Sequence, residues 1–250
     1  MLMKLLKYDL KWMYKFLSIF YLLSLIFAGI SRLFLKLNDS YIIHLIGKIS
    51  LFITLVLIIV TIINNILACF VRFIRNVYKD ESYLTHTLPV SEKSIFLSKV
   101  LSGIITILTS FLVLFICLFI LEGSNFTGIF DDVDTSIIVK SCFILLLEMI
   151  FIVLIGYQSI IIGHRKNNNK IVSSVIIGLI SYFIVQGLTI LLMFIYGSFD
   201  SNIMAIFTSN NTSFSVLEKI LNFGIILYFL YNVMLYIMSK KIYLKGINID

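Results

Sequence analysis

The chain has 250 residues, 60% of them hydrophobic and 13% charged, with a mean hydropathy of +1.06. A soluble domain sits nearer half apolar and a quarter charged, so a water-soluble globular fold is excluded and the chain belongs with membrane proteins. Its formal charge of +7 is divided among the ends of apolar runs rather than gathered in one basic stripe, and no nucleic-acid partner is expected.

Lipid offers backbone groups no hydrogen-bond partners, so only helices or a closed barrel can span it. Apolar runs of roughly 20 residues or more point to helices, because barrel strands would be about 10 residues long and strictly alternating. The expected class is an all-α polytopic membrane protein forming a single transmembrane domain over 1–250.

The opening "MLMKLLKYDLKWMYK" (1–15) places Lys4, Lys7, Lys11 and Lys15 at helical spacing, with Leu2, Leu6, Leu10, Trp12 and Met13 mostly elsewhere. This split predicts an amphipathic helix lying in the membrane interface, with Trp12 at headgroup depth; a simple basic flank of the first span is the plainer reading. The polar lead is long for a signal peptide and no small-x-small site follows, so the segment is expected to be retained.

Six apolar runs follow, at roughly 16–36, 44–70, 98–121, 137–162, 171–196 and 216–238. Fifteen of the 20 Lys and Arg residues fall on the side that holds both termini and the loops after the second and fourth runs. The other five, Arg32, Lys36, Lys48, Lys140 and Lys219, share the opposite side with the acidic "DDVD" of Asp131, Asp132 and Asp134. The positive-inside rule then puts both termini in the cytoplasm.

Polar residues inside spans turn toward protein or water. Thr54, Thr61, Asn65 and Ala68 share a face of the second span, with Asn64 beside it, and Ser98, Ser102, Thr106 and Ser110 recur every four residues along the third. Ser174 and Gly178 make a small-x-x-x-small pair on the fifth. Thr61, Asn65, Ser102, Thr106 and Ser110 are candidates for a translocation path or subunit interface; close helix packing within one subunit uses the same residue types. Glu148, an acid near the middle of the fourth span, either ties helices together through Asn65 or Gln186, or responds to protons or substrate charge.

The longest polar interval, "YKDESYLTHTLPVSEKSIFLSK" (78–99), lies in a cytosolic segment expected over 71–97. Asp80 is a suitable cap for a short helix with Glu81 in its first turn. Pro89, the single proline of the chain, stops that helix by biasing Leu88 out of the α region, and Ser91 with Glu92 opens the next. A short exposed helix carrying Tyr83 and Leu84, held between two spans, suits docking into a groove of another protein; the alternative is an ordinary solvated loop.

The remaining signals are weak. Cys69, Cys117 and Cys142 are scattered and have no disulfide or metal spacing. His44, His86 and His164 are isolated, which gives no metal site and no catalytic base. "HRKNNNK" (164–170) reads as a solvated turn or a second partner contact, and the glycosylation sequons at Asn210 and Asn211 read as chance. No G-x-x-x-x-G-K-[ST] phosphate loop occurs, so this chain is not expected to bind nucleotide.

The stretch "DESYLTHTLPVSEKSIFLSK" resembles the "EGYLTxTLPV…SK" segment of ABC-type-2 permeases, the membrane subunits of bacterial ATP-binding cassette exporters. Asp80, Glu81, Tyr83, Leu84, Thr85, Thr87, Leu88, Pro89, Val90, Ser98 and Lys99 match; Ser82 stands where glycine is common. The resemblance implies a type V ABC exporter-like fold in the bacterial plasma membrane. It also implies a second permease subunit, identical or not, and a separate ABC ATPase that binds ATP and Mg. Arg75, Tyr78, Lys79, Asp80, Glu81, Tyr83, Leu84, Thr85, Leu88 and Pro89 would then form the coupling segment that contacts the ATPase. The chain itself would be a non-enzymatic permease exporting peptides or other amphipathic compounds. The alternatives are an ion-coupled secondary transporter using Glu148, or a non-transporting scaffold or sensor. Inverted repeats and Gly/Pro-broken spans, which mark many secondary transporters, are not seen.

Overall fold

The computed structural model describes residues 1–37, 41–79, 81–87, 89–122, 135–166, 169–200, 203–204 and 214–246. Among these residues there are seven bounded helices: α1 Leu2–Lys36, α2 Tyr41–Val77, α3 Ser82–Thr87, α4 Glu92–Glu122, α5 Thr135–Gly163, α6 Lys170–Phe199 and α7 Phe214–Tyr243. Six of them are long and apolar enough to cross a membrane; the exception is α3. Each expected apolar run lies inside one of these helices. The helices run further because the flanks, such as "VRFIRNV" at the end of α2, contain residues that continue a helix without being apolar.

The division expected between an interfacial helix over 1–15 and a span over 16–36 is absent. One helix covers Leu2–Lys36, because no proline or glycine interrupts the sequence around residue 15. At 1.5 Å per residue its 35 residues extend about 52 Å, well beyond a hydrocarbon core of about 30 Å. The first turns of α1 are also not a free amphipathic surface, since Asp9 and Met13 are both buried.

The chain forms two compact units. The first comprises Met1–Phe73 and Pro89–Asp132, in which α1 packs along α4. Ser31 of α1 donates to the Gly47 carbonyl of α2, and Asn65 of α2 donates to the Thr106 carbonyl of α4. Phe73 and Phe96, both fully buried, meet edge to face at 6.5 Å.

The second unit comprises Ile74–Leu88 and Val133–Asp250, with α5 packed against α6 and α7. The α5–α6 contact depends on a glycine. A Cβ on Gly163 would lie 2.1 Å from the Ser174 hydroxyl and 2.6 Å from its backbone nitrogen. Ser174 and Gly178 therefore pack against α5 within this unit, Gly178 facing Ser159. Asn232 of α7 donates to the Leu147 carbonyl of α5. Otherwise α6 buries only Ser174 and Gly197 and leaves apolar side chains such as Phe183 and Ile190 exposed, as a lipid-facing helix does.

Candidate functional site

Glu81 holds the short helix α3 in place. It precedes Ser82 instead of sitting in the first turn, and its carboxylate reaches back to the end of α2. Nδ2 of Asn76 donates to Oε2 at 2.6 Å, and Nε of Arg75 lies 3.5 Å from Oε1. Its backbone N–H donates to the Arg75 carbonyl, and its carbonyl accepts from the Thr85 hydroxyl at 2.8 Å. Glu81 is therefore engaged within the chain, its side chain remaining 31% exposed.

These tethers orient α3. Ser82 and Thr85 are buried, whereas Tyr83 is 76% exposed and Leu84 66%. An aromatic and an aliphatic side chain thus project side by side from a helix outside the spanning segments. Pro89 is also exposed. Among the other expected contact residues, Lys79 is exposed and Tyr78 turns inward, its ring stacked on His164 at 4.2 Å. Burial pushes the Tyr78 phenol above its ordinary value, with Arg165 acting in the opposite sense. Asp80 and Leu88 lie outside the described residues, as do Asp131, Asp132, Asp134, Asn210 and Asn211.

A charged cluster in the first unit was not anticipated from the sequence. Asp9 on α1 is buried, and one of its carboxylate oxygens accepts from Nε of Arg72 at 2.9 Å and from Nζ of Lys99 at 2.5 Å. The other oxygen accepts from the Ser98 hydroxyl at 3.2 Å. The Arg72 guanidinium also sits 5.4 Å from the centre of the Trp12 ring. One carboxylate thereby ties α1 to both α2 and α4. Asp9 is the sole acid in the first 38 residues, which was the available signal.

The polar stripe of α4 faces inward. Ser98, Ser102, Thr106 and Ser110 are all buried, as are Thr61 and Asn65 of α2. Asn65 donates to the Thr106 carbonyl at 2.7 Å and to the Ser110 hydroxyl at 2.6 Å, and Tyr21 of α1 meets the same hydroxyl at 2.8 Å. Thr61 and Ser102 bond carbonyls of their own helices. These five residues are engaged in packing within one unit.

Glu148 is half-buried in α5, and among the described residues it makes no hydrogen bond or ion pair. Neither expected bridge forms: Asn65 is committed to α4, and Gln186 donates to the Tyr228 hydroxyl at 3.3 Å. Phe151, one turn along α5, lies 5.5 Å from the Tyr228 ring and 6.0 Å from the Tyr231 ring. Among the described residues no group of His, Cys, Asp and Glu is arranged to hold a metal ion.

These features define a helical, multi-pass membrane protein with six candidate spans and a short anchored helix outside them. Comparison with known proteins finds no matching family model, no matching curated protein and no matching solved structure.

Proposed function

We propose that the chain is the membrane subunit of an ATP-driven exporter, with α3 docking a separate ABC ATPase that binds ATP and Mg. The observation that carries this reading is the pairing of Tyr83 and Leu84, outward and exposed, on a helix whose opposite face is buried and whose start is fixed by Glu81. Interface hot spots are aromatic and apolar anchors presented from a rigid element, and this arrangement supplies two. The resemblance of 80–99 to the coupling segment of ABC-type-2 permeases points the same way.

In this reading no covalent chemistry takes place on the chain. Movement of the ATPase displaces α3, and the Glu81 tethers pass the displacement to the end of α2. A second permease subunit completes the path, both termini are cytoplasmic, and the assembly resides in the bacterial plasma membrane. The test is ATP hydrolysis by the chain purified alone and together with a cassette ATPase. Hydrolysis that appears with the ATPase and changes when the permease is reconstituted supports the reading.

A second reading, ion-coupled transport, is favoured by one observation: Glu148 sits in a span without a hydrogen bond or ion pair among the described residues. Uptake or efflux driven by a proton or sodium gradient in vesicles holding this chain alone would select it.

A further inference from the structure

The second unit contains a cavity of about 440 Å³ where the end of α2, the end of α5 and the start of α6 converge. One wall is the stacked pair Tyr78 and His164, and Lys79, Asn169 and Lys170 line the remainder with Ile171 and Val172. We propose that this cavity holds the phosphate headgroup of an anionic phospholipid.

Charge is the first argument. Among the described residues, Lys79 and Lys170 line the same space, no acid lines it, and neither ammonium has a hydrogen bond or ion pair. Two like charges brought together without a neutralising partner favour an anion between them. Helix α6 adds to this field: its cap residue Asn169 is in the left-handed region, at φ 52°, and its side chain makes no capping hydrogen bond. The Asn169 side chain leaves the first N–H groups of this 30-residue helix uncapped, and the first helical residues, Lys170, Ile171 and Val172, line the cavity.

A buried side chain adds a polar group to the lining independently of the helix end. His164 is 4% exposed, and its Nδ1 is engaged by the Ile160 carbonyl at 2.9 Å and lies 3.5 Å from the Ser174 hydroxyl. The side chain lines the cavity, and among the described residues Nε2 makes no hydrogen bond. Burial holds the imidazole below its ordinary pKa, and Lys170 and Lys79 act in the same sense against the Ile160 bond. An anion between the lysines would remove that repulsion and give a protonated Nε2 an acceptor.

A phospholipid fits better than a free anion because of what adjoins the basic cavity. Ile171, Val172, Val175 and Ile176, the first turns of α6, are exposed and apolar. A ligand that places phosphate among the lysines and acyl chains along this face satisfies both surfaces, whereas an aqueous anion leaves the apolar face bare. Basic pockets between membrane helices recognise lipid headgroups by this combination.

The test is native mass spectrometry of the full chain in non-ionic detergent. It is titrated with phosphatidylglycerol, with phosphatidylcholine of the same chain length, or with inorganic phosphate. Wild type should retain phosphatidylglycerol over phosphatidylcholine, and the double variant Lys79→Gln/Lys170→Gln should lose that preference by about tenfold or more. The variant relieves a repulsion, so it should fold. Asn169→Asp is a second probe: a carboxylate at the start of α6 suits the helix dipole and should steady the helix while repelling phosphate. The control Lys4→Gln/Lys7→Gln removes the same charge from exposed positions on α1 and should bind as wild type does. Undiminished phosphatidylglycerol binding in the Lys79/Lys170 variant, or equal loss in the control, would overturn the site. Displacement of the lipid by inorganic phosphate would make it a pocket for a free anion and overturn the lipid assignment.

Discussion

Asp9 and Arg72, 63 positions apart in sequence, form a buried ion pair with Nε of the arginine 2.9 Å from the carboxylate. Lys99 shares the same oxygen, so removing the acid leaves two cations facing each other in a desolvated site. Breaking such a cluster costs about 3–5 kcal/mol, mostly the penalty of uncompensated charge. Asp9→Asn should therefore lower the unfolding midpoint of the detergent-solubilised subunit sharply. The triple variant Asp9→Asn/Arg72→Met/Lys99→Met should recover much of the loss. The one tryptophan, Trp12, lies against Arg72 and gives a local fluorescence signal for the transition.

His164 predicts a pH dependence. Its pKa in the folded chain lies below the ordinary value of 6.5, so the unfolded chain binds the proton more readily. The stabilisation is complete above the unfolded value, declines as pH falls through it, and levels off below the depressed folded value. Among the described residues, Tyr78 and Lys79 after α2, and Lys170 and Ser174 of α6, stand around the ring, and none is an acid that would reverse the sign. Measured without anionic lipid, wild type should lose stability as pH falls through the ordinary histidine value of 6.5 and below it. His164→Phe, which keeps a ring against Tyr78, should lose less over the same interval.

Glu148 separates the two functional readings. With no bridge to Asn65 or Gln186, its replacement removes no helix-to-helix hydrogen bond. Glu148→Leu should match or exceed wild type in stability, because a half-buried carboxylate is exchanged for an apolar side chain at span depth. An ATP-driven permease should keep most transport in Glu148→Gln. Loss of transport in that variant, with assembly intact, favours ion coupling.

The six spans were legible because bilayer thickness imposes a run length that local composition reveals. The inward face of α4 was also legible in part: a four-residue repeat of Ser98, Ser102, Thr106 and Ser110 defines one side of a helix whatever packs against it. What packs there was not. Asp9 sits among four lysines in a segment that reads as amphipathic, and its partners lie 63 and 90 positions away, where periodicity carries no information. For the same reason Glu81 read as an anion in the first turn of the short helix, whereas it precedes that helix and its carboxylate turns back on Asn76 and Arg75. Sequence spacing placed Tyr83 and Leu84 on a short exposed helix; that they point outward while Ser82 and Thr85 point in depends on those tethers.

The central claim, that α3 is the element on which a partner ATPase docks, is tested most directly by co-purification with Tyr83→Ala/Leu84→Ala. Truncating two anchors at an interface centre costs about 2 kcal/mol or more, which corresponds to a loss of roughly 30-fold or more in affinity. Neither side chain packs inside the chain, so membrane insertion and the unfolding midpoint should be unchanged. Against a candidate cassette ATPase in detergent, wild type should retain the partner and show ATP hydrolysis coupled to transport, and the double variant should lose both. Full retention of the ATPase with normal coupling in the double variant would contradict the account.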